Sequence, residues 1–112
     1  MLPDYFSELP VAVTICDKEG IILYMNEKAT KTFANYGGRE LIGKSLFTCH
    51  KDSSSNMIRK MMETDATNTY TIEKAGVKKM IHQAPWKVNG EVQGMIEFSI
   101  ELPAQMPHFI RS

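Results

Sequence analysis

The amino-acid sequence predicts an α+β fold, one five-stranded antiparallel sheet with short helices on one face, in the order ββαααβββ. Three observations carry that expectation. Residues 77–102 hold two long runs on either side of Asn89-Gly90, the dipeptide that supplies the positive φ angles of a type I′ hairpin turn. Residues 11–25 hold a second strand–turn–strand unit. The helical patterns between these groups do not alternate with strands, which rules out a doubly wound parallel sheet.

Taken in order, residues 11–16 are β-branched and apolar, Asp17-Lys18-Glu19-Gly20 is a turn, and residues 21–25 are apolar again. Asn26 then opens a short helix over residues 27–34. Its side chain can accept from an early helical N–H, and Glu27 suits the positive end of the helix dipole. Ala29 and Phe33, four apart, share the inward face, and Tyr36-Gly37-Gly38 ends the helix. Residues 39–52 read as irregular, with a single turn at 39–42 closed by Gly43. Asp52 or Ser53 caps a helix reaching Thr64, with Met57, Ile58, Met61 and Met62 as its apolar stripe. Residues 67–74 form a strand, turned by Ala75-Gly76 into the run 77–86, where Pro85 marks an edge or a bulge. In the last strand, 91–102, Val92, Ile96, Phe98, Ile100 and Leu102 share one parity with Gly94. Gln93, Glu97, Ser99 and Glu101, joined by Met95, share the other, so the polar parity is expected to face water.

Composition bounds the function. A chain of 112 residues fits one domain, divided here into an N-terminal cap segment (1–8), a domain (9–102) and a Pro-containing tail (103–112). Thirteen basic residues balance thirteen acidic ones, which argues against a direct nucleic-acid grip resting on neutralised phosphates. No apolar run approaches the roughly 20 residues of a membrane span, and the first residues lack a secretory pattern, so a cytoplasmic protein with no membrane contact is expected. Cys16 and Cys49 form no Cys-x-x-Cys pair, which leaves free thiols rather than redox chemistry or structural zinc.

The order of elements resembles a PAS domain, the small sensory and dimerisation module of many bacterial signalling proteins. The resemblance covers residues 8–102. It rests on Leu9-Pro10-Val11-Ala12-Val13 leading to Asp17-Lys18-Glu19-Gly20, then Ile21-Ile22-Leu23-Tyr24-Met25-Asn26, on Glu40-Leu41-Ile42-Gly43-Lys44, and on Asn89-Gly90 with Gly94. Leu46-Phe47-Thr48-Cys49-His50 is similar to a Cys-His-containing subgroup. The usual closing Asp-Ile-Thr is replaced by Glu101-Leu102-Pro103, and no kinase, cyclase or DNA-binding effector accompanies the motifs. The resemblance implies a sensory signalling module that binds a small ligand or a protein partner and regulates through dimer or partner contacts. A homodimer built on residues 2–13 and the outer sheet face is expected, together with a separate kinase or regulator as partner.

The candidate pocket or sheet-face residues are Met57, Met61, Tyr70, Met80, His82 and Trp86. Flexible thioethers reshape around varied apolar groups, and the aromatic and imidazole tips add polarity. The plain alternative is an adaptable packed core. No cofactor is required. Haem or a small metabolite are the alternatives, with Cys49 and His50 as the metal-ligand candidates because thiolate and imidazole both donate to iron. Flavin is disfavoured by the missing Asn-Cys-Arg-Phe-type helix. No catalytic residues are assigned, because nucleophile-elbow, phosphate-loop and metalloprotease motifs are missing. The remaining enzyme alternative pairs Glu97 with His82 as acid and base in a cone-shaped, isomerase-like cavity.

Overall fold

Two short polar side chains fix the first third of the chain. Strands β1 (Ala12–Asp17) and β2 (Ile22–Met25) are joined by a turn built on one carboxylate: Asp17 Oδ1 accepts from the N–H groups of Glu19 and Ile21, both at 2.9 Å. Gly20 closes that turn at φ 84°, and a Cβ there would run into the Phe47 ring. Asn26 is buried and uses both ends of its amide. Its Oδ1 accepts from Ala29, capping helix α1 (Glu27–Thr32), and from Val13, both at 3.0 Å. Its Nδ2 donates to the carbonyls of Phe6 and Val11, both at 2.8 Å. One side chain thus ties together the N-terminal segment, β1 and α1.

The computed structural model describes residues 4–48 and 52–112. After α1 the chain tightens into 3₁₀ turns at Ala34–Tyr36 and Gly38–Leu41, with another at Leu46–Thr48. Helix α2 (Asp52–Thr64) buries Ser55, Ile58, Met61 and Met62. Met57 was expected on that stripe but is solvent-exposed: spacings of three and four from Ile58 select Ser55 and Met62, and the adjacent position falls about 100° away. Strands β3 (Asn68–Lys74), β4 (Val77–Val88) and β5 (Glu91–Leu102) form two successive hairpins. Their loops, Ala75-Gly76 and Asn89-Gly90, have positive φ at both residues, the type I′ pattern that matches the twist of paired strands.

The five strands pair antiparallel in the order β2-β1-β5-β4-β3, so the fold is the expected α+β sheet with its helices on one face. The core lies between the helices and the centre of the sheet, where Cys16, Met25, Ile58, Met61 and Met95 pack with Ala29, Leu41 and Leu46. Pro85 lies beyond the last β3–β4 pair, Asn68 opposite Gln83, so β4 has a strand on one side only at that point and a missing N–H is tolerated.

The expected orientation of β5 is corrected by the structure. Glu97 is buried beside Gln83 on the helix-facing side, with Ser99 and Glu101 on the same parity, whereas Ile96 and Phe98 belong to the outer face. Alternation separates two faces without saying which is covered, and a partner for the buried carboxylate lets the polar parity turn inward. A bulge adds to this. The β4–β5 register shifts between Trp86 and Lys87, leaving Gln93 unpaired, so Val92 packs on the core side and does not share a face with Ile96. On the outer face the Trp86 indole crosses Gly94 and donates Nε1–H to the Cys16 carbonyl at 2.9 Å. Among the described residues, no helix is long and apolar enough to cross a membrane.

Candidate ligand-binding site

The inward turn of β5 opens a cleft of about 490 Å³ between the outer half of the sheet and the end of α1. Ala12, Ile81 and Glu97 form its floor, Phe33 and Tyr36 one wall, and Tyr70 and Ile72 of β3 the other. Alternation along β3, β4 and β5 delivers these side chains, because every second residue of each strand faces the helices. Lys74, Lys79 and Glu101 line the mouth, and Glu101 is bonded to Lys28 of α1 at 3.2 Å.

A chain of polar side chains runs beneath the apolar walls. Asn68 Nδ2 donates to Gln83 Oε1 at 3.0 Å, and Gln83 Nε2 donates to Glu97 Oε1 at 2.8 Å. The ionised carboxylate only accepts, so it fixes which end of the Gln83 amide faces it and leaves the carbonyl for Asn68. Gln83 is 1% exposed and Glu97 8%. Burial pushes the Tyr70 hydroxyl above its ordinary pKa of 10.0, and the charge of Glu97 adds to the rise. The cleft therefore combines aromatic walls with an acceptor group at its floor, features suited to holding and orienting a small molecule.

The residues singled out from the sequence are distributed over the molecule. Tyr70 lines the cleft. Met61 is in the core, where a gap beside Thr14, Met25 and Leu46 measures only about 10 Å³. Met57 faces solvent. Met80, His82 and Trp86 share the outer-face parity of β4, with His82 Nδ1 within 2.8 Å of the Thr69 hydroxyl. His82 and Glu97 cannot act as an acid–base pair: Glu97 lies opposite Gln83, the next residue along β4, so the two side chains occupy opposite faces of the sheet. Cys49 and His50 lie outside the described residues. Cys16 is buried and its thiol is pushed up to about 11, chiefly by desolvation, so packing is its role. Among the described residues, no group of three or more His, Cys, Asp or Glu side chains could hold a metal ion.

Phe33 and Tyr36 of the cleft wall, and Asn68 and Gln83 that reach its floor through Glu97, were not anticipated. The hairpin held part of the signal. Counting outward from Asn89-Gly90 without a bulge sets Gln83 opposite Ile96, and the bulge moves it opposite Glu97.

The PAS-fold family model matches residues 6–105. Among solved structures, VqmA bound to DPO superposes with a TM-score of 0.70 at 18% identity, over 87% of this chain and 55% of that one. A further structure describes VqmA as a dimer from Vibrio cholerae. The Aer2 receptor from Vibrio cholerae, described as a dual PAS–haem oxygen sensor, gives a TM-score of 0.62 at 18% identity, over 83% of this chain and 95% of that one. The PAS domain of histidine kinase ThkA gives 0.65 at 17% identity, over 80% and 97%. This chain spans only about half of the VqmA chains it matches. A search of curated proteins finds no match. The chain belongs to the PAS-fold family, a class of sensory signalling modules.

Proposed function

We propose that this PAS module senses a small molecule in the cleft between β3–β5 and the end of α1, and passes the signal on through the outer face of its sheet. The observation that carries the reading is the buried chain Asn68–Gln83–Glu97 opening into an aromatic-walled cleft of about 490 Å³, a volume suited to a small organic ligand. The two surfaces share strands: Glu97 faces the cleft, and its neighbours Ile96 and Phe98 face outward. A ligand favouring one sheet geometry then shifts the population presented to a partner.

The partner in this reading is a second copy of the chain. The outer face carries Ile15, Met80, Ile96, Phe98 and Ile100, an apolar stripe of the kind that closed two-fold pairs cover. The N-terminal segment is bonded to its own chain, Tyr24 Oη donating to Asp4 at 2.8 Å and the Glu27 N–H to the Ser7 carbonyl at 3.2 Å, and so frames one edge of that face. The module acts in the cytoplasm as a binder, not an enzyme, and leaves any nucleic-acid contact to other domains or proteins. Its formal charge of zero supports that last point.

Native mass spectrometry of protein purified from cell extract tests the cleft. A bound small molecule that is released on denaturation, and that does not co-purify with Ser99→Trp, is the expected result. Equal retention by Ser99→Trp would remove the cleft from the reading.

A further inference from the structure

Glu97 presents a carboxylate on the floor of a largely apolar cleft, and its charge is only partly answered. Among the described residues no Lys, Arg or His nitrogen lies within 4.0 Å of it, and both ion pairs formed there involve other acids. Its one hydrogen bond from a described side chain comes from Gln83, to Oε1. A carboxylate offers roughly four acceptor sites, and Oε2, which is not sealed away among the described residues, is free to accept from a donor entering the cleft. The walls around it, Phe33, Tyr36 and Tyr70, present the aromatic surfaces that stabilise a nearby cation.

We infer that the cleft selects a small organic monocation, an apolar or aromatic body carrying one protonated nitrogen whose N–H groups bond to the Glu97 carboxylate. The inference rests on the reading of the cleft as the ligand site and adds the chemical class. Lys74 and Lys79 at the mouth set the upper limit on charge, since a second positive group at the outer end of the ligand would meet them. Tyr70, whose ionisation the Glu97 charge already opposes, stays a neutral hydroxyl beside the ligand.

The test uses phenethylamine, its neutral counterpart 2-phenylethanol and the anion phenylacetate, titrated into the whole chain, the Glu97→Gln variant and the Ser99→Trp variant. Glu97→Gln keeps a side-chain oxygen for the Gln83 donor, and its melting curve checks that it folds. Phenethylamine is expected to bind the native chain at least ten-fold tighter than either counterpart, and Glu97→Gln is expected to erase that preference. Equal or tighter binding of the alcohol or the acid, or amine binding unchanged in Glu97→Gln, overturns the ligand class. If that binding is lost in Ser99→Trp, the cleft stands as the site and only the class fails. Binding that survives Ser99→Trp removes the cleft and the class together, and no binding by any of the three at millimolar concentration overturns the class.

Discussion

Asn26 shows how much one side chain carries. Its amide serves four backbone groups on three segments, and Asn26→Ala would leave those donors and acceptors without it in a site that is 2% exposed. Losing a helix cap together with buried hydrogen bonds is expected to cost about 3 kcal/mol, measurable by urea denaturation. Cys16 makes a different prediction. Its folded pKa, about 11, lies above the ordinary thiol value of 9.0, so the fold favours the thiol. The resulting stability is present in full below pH 9 and is lost as pH rises through 11. Tyr24, pushed up to about 12 from 10.0 by desolvation and by its bond to Asp4, shifts the balance in the same direction over a higher range. Denaturation midpoints should therefore fall steadily above pH 9, and Cys16→Ala should flatten the first part of the decline. At pH 8 alkylating reagents should label Cys16 only in the unfolded chain.

The elements were legible in the sequence wherever a local device defines them. Asp17 with Gly20, Asn26 before α1, and Asn89-Gly90 each act through neighbouring backbone, so their outcome can be read from residue type. The cleft was less legible because it depends on which parity of β5 faces inward. A one-residue bulge and a partner on a neighbouring strand decide that, and neither is a local property. The turns lead to two further predictions. Ala75 holds φ 51° in the left-handed region, so Ala75→Asn should stabilise the β3–β4 hairpin by about 0.5–1 kcal/mol, raising the melting temperature. Gly94 faces the opposite constraint, because a Cβ there would collide with the Cys16 carbonyl and crowd the Trp86 indole. Gly94→Ala should cost about 3 kcal/mol or more and disturb the Trp86 fluorescence, whereas a normally stable variant with native emission would contradict the packing described.

At the scale of the molecule, the sheet separates two surfaces of different chemistry. Its inner side holds a carboxylate, amides and aromatic rings around a cleft, and its outer side holds an apolar stripe. The proposed ligand capture on one side and pairing on the other match that division. Phe98→Glu should thus give a monomer in light scattering at micromolar concentration, and a native chain that is already monomeric there would contradict the paired state. The reading depends most on the cleft being the receiving surface. Amide shift mapping of isotopically labelled protein titrated with phenethylamine tests it most directly. Saturable shifts centred on Tyr70, Ile81, Glu97 and Ser99 are predicted; shifts confined to Met80, Trp86 and Phe98 on the outer face, or none at saturating concentration, would contradict it.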